Sequence, residues 1–269
     1  MADVDEPRRE VIAVLHPGEM GSAVAACLVA AGHMVLWVSD GRSQQTTARA
    51  QDAGLADAGT IGDATASASV IVSICPPHSA LDVARAIRGF SGCYLDANAI
   101  SPQTAREVSS VVEAGGATYV DGGIIGPPPV IAGSTRLYLS GAQAGPVRSL
   151  FDGTKLDART VTGGGPYGAS AVKMAYAAWT KGSAALLIAA RELGEARGVS
   201  EALLGEWELS QPALAGRLAT AAQSAAKKGW RWIAEMDEIA ATMKSSDLPS
   251  GFHEAAAEIY RRSAHAGLD

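Results

Sequence analysis

Cysteine is sparse in this 269-residue chain. Cys27, Cys75 and Cys93 are odd in number and show no close paired spacing, which argues against a disulfide framework and against a zinc site, and no bound metal is expected. Each of the three sits in an apolar run and reads as core. Positive charge is in deficit as well. The net charge of -6 offers no long-range attraction to phosphate backbones or anionic lipid, so the expected partner is a small-molecule substrate, with no nucleic acid and no membrane. No apolar run approaches the ~20 residues of a membrane span. The first residues carry Asp3, Asp5, Glu6, Arg8 and Arg9 ahead of a short apolar run, without the basic and long apolar regions of an export signal, so the cytoplasm is the expected location. There is no internal repeat and no low-complexity linker. What is present is core-forming material: 48% of residues are hydrophobic, enough for one large or two modest domains.

Two rhythms divide the chain. From Glu10 to about Gly163, short β-rich runs alternate with Ala-rich helical stretches at the intervals of βαβ units. The predicted strands are Val11 to Leu15, Met34 to Ser39, Val70 to Cys75, Cys93 to Asp96, Ala117 to Asp121, Arg136 to Ser140 and Thr160 to Thr162. Near-continuous apolar composition in the first few predicts strands covered on both faces, hence a parallel, doubly wound sheet. After Gly163-Gly164-Gly165-Pro166 the strand signals stop. A stretch from Tyr167 to Arg197 runs without proline and reads as one long helix. Helices are predicted next at Ser200 to Leu209, Pro212 to Ala226, Trp230 to Met243 and Gly251 to Ser263, punctuated by Gly229 and Leu248-Pro249. The fold class is therefore α/β, with a Rossmann domain over residues 1–163 and an all-α domain over 164–269.

The first strand turns into a helix through His16-Pro17-Gly18-Glu19-Met20-Gly21. A dinucleotide pyrophosphate rests on exposed backbone N–H groups at such a turn. The G-x-G-x-x-G pattern is met at its second and third positions by Gly18 and Gly21, while His16 stands at the first. An ordinary structural turn would share this pattern. About twenty residues on, the second strand ends in Ser39-Asp40-Gly41-Arg42-Ser43, where the adenosine ribose is read. Asp40 is suited to accept from two ribose hydroxyls, as NAD(H) needs, whereas Arg42 and Ser43 bring a guanidinium fork and a hydroxyl suited to a 2'-phosphate, so NADP(H) is expected over NAD(H). Ser43 reads equally as a helix cap.

Taken with Ala31-Gly32-His33, Cys75-Pro76-Pro77, Asp96 to Pro102, Asp121 to Pro127 and Gly165 to Lys173, the chain resembles the β-hydroxyacid dehydrogenase superfamily. That group includes 3-hydroxyisobutyrate and 6-phosphogluconate dehydrogenases, and imine reductases share its plan. The resemblance implies a Rossmann domain and a helical domain led by a long helix. It also implies a homodimer through the helical domain, whose later helices help close the partner's pocket. It further implies that Lys173, early in the long helix, donates and accepts the proton of a hydride transfer. The chemistry agrees, since an ammonium partly desolvated beside the reacting carbonyl stabilises developing negative charge. A Lys reaching from a helix to solvent is the plain alternative.

Departures from the dehydrogenase pattern bear on the substrate. Paired Asn residues that follow the Lys in those enzymes are Tyr176 and Ala177 here; Tyr176, one turn on, orients substrate, relays a proton, or is simply a core aromatic. The carboxylate loop Asp-Ala-Pro-Val-Ser-Gly-Gly is replaced by Asp121-Gly122-Gly123-Ile124-Ile125-Gly126-Pro127. Ile125 removes a hydroxyl and Pro127 an N–H, which makes a short hydroxy acid a poor candidate and brings the loop closer to that of imine reductases. Ile124, Ile125 and Gly126 remain its substrate-facing candidates. Asn98 stands where the family places a substrate-touching Ser, and an Asx turn explains it as well. Pro76 and Pro77, after Cys75, are expected to shape the wall beside the nicotinamide ribose, or merely to end a strand.

Trp232, Met236, Ile239 and Met243 recur at helical spacing and read as core, while Trp207, Trp230 and Trp232 are candidates to line a pocket. His253 reads as a helix-start or surface residue. The expected activity is NADP(H)-dependent hydride transfer with a small carbonyl or hydroxy compound. The alternatives are an imine reductase on the same scaffold and a non-catalytic NADP-binding or assembly protein.

Overall fold

A computed structural model describes residues 9–265; the charged stretch Asp3 to Arg8 weighed above lies outside them. Eight strands form one sheet: β1 (Val11–Val14), β2 (Met34–Trp37), β3 (Ala56–Asp57), β4 (Val70–Ser73), β5 (Cys93–Asp96), β6 (Thr118–Ile125), β7 (Thr135–Ser140) and β8 (Leu156–Thr160). Their order is β3-β2-β1-β4-β5-β6-β7-β8. Helices α1 (Glu19–Ala30), α2 (Gln44–Asp52), α3 (Ile61–Ser67), α4 (Ala80–Ala86), α5 (Pro102–Ala114) and α6 (Ala144–Ser149) connect them. The two faces of the sheet bury separate cores. Ile12 and Val14 of β1 point into one and Ala13 into the other, and Val35, Leu36 and Trp37 of β2 and Val70, Ile71 and Val72 of β4 alternate in the same way, as doubly covered parallel strands do.

The expected all-parallel sheet is corrected at one edge: β7 runs antiparallel to β6, and β8 parallel to β7. The reason is the connection. Residues 126–134 are too few to carry a crossover helix, so the chain can only fold back as a hairpin. β6 also extends four residues past the predicted end, through Ile125. The Asp121 to Ile125 segment read as a loop is therefore strand, paired along its length with β7.

The Ala31-Gly32-His33 motif has a structural explanation. Gly32, at φ 90°, turns the chain out of α1. Buried His33 accepts the Glu10 N–H on Nδ1 at 3.2 Å, and its Nε2 lies 3.2 Å from the Leu150 carbonyl. One imidazole thus ties the start of β1 to the end of α6.

Four helices follow: α7 (Gly168–Ala196), α8 (Ser200–Ser210), α9 (Leu214–Ser245) and α10 (Gly251–His265). Gly163, Gly164 and Gly165, all at positive φ, make the turn into α7. The predicted break at Gly229 is absent, and α9 is one helix of 32 residues. Gly229 is buried inside the helix, where a Cβ would make an ordinary contact 3.6 Å from the Tyr260 carbonyl of α10, so it ends nothing. Trp232 meets Tyr260 edge-on at 5.1 Å, and the Tyr260 hydroxyl donates to the Lys181 carbonyl at 2.6 Å. Met236 and Ile239 are buried, as their spacing predicted. The chain divides into two compact units, Met1–Lys173 and Met174–Asp269, with the division inside α7.

Candidate active site

The strand order reverses direction between β1 and β4, so the crevice at their carboxyl ends is where an open α/β sheet binds ligands. The turn after β1 borders it. Gly18 donates its N–H to the His16 carbonyl at 2.8 Å and stands as the N-cap of α1, with no side chain capping that helix. A Cβ on Gly18 would meet nothing within 4 Å, whereas one on Gly21 would meet the His16 carbonyl oxygen at 2.3 Å. Gly21 is thus required for the tight turn, and Gly18 opens the first-turn N–H groups of Glu19 and Met20 to an approaching anion. Pro17 is buried and Glu19 exposed. An uncapped helix start behind a bare glycine fits a pyrophosphate.

At the end of β2 the Ser39 carbonyl accepts the Arg42 N–H at 3.1 Å. Ser43 caps α2, accepting the Thr46 N–H at 3.3 Å; the capping reading of this hydroxyl is therefore realised. Arg42 is half-buried, and its Nε is shielded from solvent with no hydrogen-bond partner among the described residues. The Nδ1 of His16 is in the same condition. Burial, and then the nearby Arg42 charge, push the His16 pKa down to about 4, so the imidazole is neutral at physiological pH.

Across the crevice, Asn98 is a buried clasp. Its Oδ1 accepts the Cys75 N–H at 2.6 Å, its Nδ2 donates to Ser73 Oγ at 3.2 Å, and its own N–H donates to Asp96 Oδ1 at 3.0 Å. This holds the ends of β4 and β5 together and leaves the amide one N–H and one lone pair for anything else. Asp96 is fully buried, with Oδ2 accepting from the Tyr119 hydroxyl at 3.3 Å. Burial first, and also the charge of Asp121 on the next strand, raise its pKa to about 7 against the opposing bond from Asn98. Cys75 carries a thiol pushed up to about 12 by burial and by Asp96, which makes it inert as a nucleophile. Pro76 is exposed, and Pro77 opens a single helical turn.

Lys173 is placed by β6. Asp121, buried in the middle of this strand, accepts the Ser170 hydroxyl at 2.5 Å and the Ser170 N–H at 2.8 Å. It also accepts the Ser140 hydroxyl at 2.9 Å, and Ser140 Oγ in turn receives the Ala169 N–H at 2.9 Å. A buried carboxylate with three donors thus holds the first turn of α7, whose free N–H groups favour negative charge. Burial raises the Asp121 pKa, and the Ser170 bonds oppose the rise. Gly123 completes the docking: a Cβ there would lie 2.7 Å from the Ala169 carbonyl and 3.1 Å from Lys173 Cβ. One turn further on, half-buried Lys173 donates from Nζ to the Ile124 carbonyl at 2.9 Å. The ammonium keeps two further N–H donors.

The side chains of Ile124 and Ile125 are buried, so near the amine Ile124 contributes its carbonyl. Gly126, exposed at φ 126°, lies where a Cβ would strike the Ser134 carbonyl at 2.4 Å. Tyr176 is exposed on α7, one turn beyond Lys173. In the second unit Trp207 and Trp232 are half-buried and Trp230 is exposed. His253, read as a surface or cap residue, is buried instead, its Nε2 lying 3.3 Å from the Ala178 carbonyl, because α10 packs that face against α7. Reading of the sequence missed the roles of Ser140 and Ser170. The available signal was Asp121 itself, an acid ending an apolar run, which must find donors if buried. Among the described residues no group of three or more His, Cys, Asp or Glu side chains is arranged to hold a metal, and no helix is long and apolar enough to cross a membrane.

Residues 11–145 match the family described as the NAD binding domain of 6-phosphogluconate dehydrogenase, and residues 195–263 match a domain of unknown function, DUF1932. No curated protein matches the chain in sequence. Among solved structures, the conserved protein MTH1747, described as similar to 3-hydroxyacid dehydrogenases, is 28% identical with a TM-score of 0.70, over 96% of this chain and 98% of that one. The Mycobacterium tuberculosis 3-hydroxyisobutyrate dehydrogenase, solved with L-serine, is 20% identical with a TM-score of 0.69, over 97% and 96%. An Aspergillus terreus reductive aminase, solved with NADPH and ethyl levulinate, is 19% identical with a TM-score of 0.58, over 97% and 95%.

Proposed function

Because the chain belongs to the β-hydroxyacid dehydrogenase superfamily and carries a nicotinamide-dinucleotide-binding domain, we propose that it is an NADP(H)-dependent oxidoreductase acting on a small carbonyl or hydroxy compound, with Lys173 as proton donor and acceptor. The observation that carries this reading is the Lys173 amine, half-buried and held on the Ile124 carbonyl by the Asp121 and Gly123 docking of α7. A bound nicotinamide supplies or accepts the hydride. The pyrophosphate is assigned to the backbone of Gly18, Glu19 and Met20, and the adenosine ribose to Ser39, Arg42 and Ser43, with Cys75, Pro76 and Pro77 on the opposite wall. In the reducing direction Lys173 meets the carbonyl oxygen with a free N–H, stabilises the charge that grows there, and gives up its proton as the alcohol forms; oxidation runs the same path backwards. Asn98 braces the wall.

The substrate is assigned to compounds without a short carboxylate. The β6 end offers buried Ile125 and a proline in place of hydroxyl and N–H donors, and that observation also favours a second reading, reduction of an apolar imine. Thermal unfolding with NADPH against NADH tests the cofactor assignment, since a ligand that binds the native state raises its stability. NADPH oxidation with ketones, semialdehydes and cyclic imines separates the two chemistries. Turnover with none of them favours a non-catalytic NADP-binding protein.

The functional unit is assigned as a homodimer through the helical part. Trp179, Leu186 and Leu193 recur every seven residues along α7 and are 68%, 67% and 61% exposed. A heptad stripe of this size on one helix is suited to packing against another helix, and a second copy supplies one.

A further inference from the structure

His16 departs from the glycine expected at the first position of the nucleotide turn, and the fold gives that departure a use. Its backbone is committed: the carbonyl accepts the Gly18 N–H and lies where Gly21 must have no side chain. His16 follows β1, and Arg42 follows β2, the neighbouring parallel strand with Ala13 opposite Leu36, so the two turns stand at the same carboxyl edge of the sheet. Within this pair, His16 Nδ1 and Arg42 Nε are both shut off from solvent, and neither has a partner among the described residues. Two unsatisfied buried nitrogens on neighbouring turns at one edge of the sheet call for a reason. Both are relieved by one event, an anion that draws the guanidinium fork outward and accepts a hydrogen bond from the ring.

We propose that His16 and Arg42 together grip the 2'-phosphate of the adenosine ribose, making His16 a determinant of selectivity for NADP(H) over NAD(H). The pyrophosphate is the dinucleotide's other anion and belongs to the uncapped start of α1. A phosphate beside the end of β2 is the one that distinguishes the two cofactors. At neutral pH the imidazole is uncharged, so it acts as a directional donor while Arg42 supplies the charge. The inference rests on the NADP(H) reading above and adds to it the residue at the motif's first position.

The test is binding, read by isothermal titration of the full-length chain with NADPH, NADH, adenosine 2',5'-bisphosphate and AMP. In the wild type, NADPH and the bisphosphate bind at least tenfold more tightly than NADH and AMP. His16→Gly, which restores the usual glycine, weakens NADPH and the bisphosphate by tenfold or more and changes NADH and AMP by less than threefold. His16→Asn, whose amide N–H replaces that of Nδ1, recovers most of the difference. Thermal unfolding confirms that both variants fold. Equal loss for all four ligands in His16→Gly, or unchanged selectivity, overturns the role of His16 and leaves the NADP(H) assignment standing. A wild type that binds NADPH no better than NADH overturns both.

Discussion

Buried polar groups concentrate in the first unit, whereas the second leaves apolar ones in the open. Ser73, Asp96 and Asn98 form one buried hydrogen-bonded group, and Asp121, Ser140 and Ser170 form another. Among the described residues of the second unit, His253 is the one buried polar side chain, while Trp179, Leu186, Leu193, Leu209 and Trp230 are exposed. The contrast is one of completeness. A sheet covered on both faces closes its own core, so polar groups can be taken inside and satisfied; a few long helices with one face used still have another to cover.

Experiments can press on this contrast at several depths. The largest effect is expected at the amine where polar bonding meets chemistry. Lys173→Ala should lower kcat/KM by about 100-fold or more, the range of a lost general acid, while NADPH affinity stays within about threefold of wild type; steady-state kinetics beside titration will read both. Next is the exposed stripe. Leu186→Glu puts a charge at its centre, and sedimentation at micromolar concentration should show monomers where the wild type gives dimers, a shift on the order of 100-fold in dissociation constant for a core contact so disrupted.

Asp121 is a smaller and more diagnostic case, as a positioning residue. Asp121→Asn replaces an acceptor oxygen with an N–H facing the donors of Ser170 and Ser140. It should cost about 1–3 kcal/mol in urea unfolding. It should also lower kcat more than it changes KM, because α7 no longer holds Lys173 on the Ile124 carbonyl. A loss of stability with kcat intact would reduce Asp121 to scaffolding.

The mildest test concerns pH. Between the ordinary carboxyl value of 3.8 and the raised value near 7, folded Asp96 holds a proton that the unfolded chain has released. The native state binds more protons there, so stability falls as pH rises through that window, by at most ~1.4 kcal/mol per pH unit for one group. In Asp96→Asn, whose amide can still accept from Asn98 and donate to Tyr119, that slope should flatten. An unchanged slope between pH 4 and 7 would assign it to other groups.

Much of the Rossmann half was legible because its signals are local. Continuous apolar runs such as Val70 to Val72 mark doubly covered strands, and Gly18 and Gly21 mark the turn from β1 into α1, each through the sterics of a few adjacent residues. Other features depended on partners far along the chain. Gly229 reads as a break until α10 is seen packing against it. Asp121 to Ile125 reads as a loop until β7 pairs with it, and a strand exists only when its neighbour does. Asn98 reads as a substrate contact or an Asx turn, and only the fold shows the Cys75 N–H and Ser73 Oγ on its amide.

By itself the sequence determined the alternation of strand and helix, the glycine turn after β1 and the lysine early in the long helix, because periodicity and glycine sterics act within a few residues. Only the tertiary structure decided the reversed edge of the sheet, the carboxylate that anchors α7, and the burial of His16 Nδ1 and Arg42 Nε without partners. Those depend on groups well separated along the chain meeting in a medium that water has left, where every unpaired nitrogen or oxygen is costly.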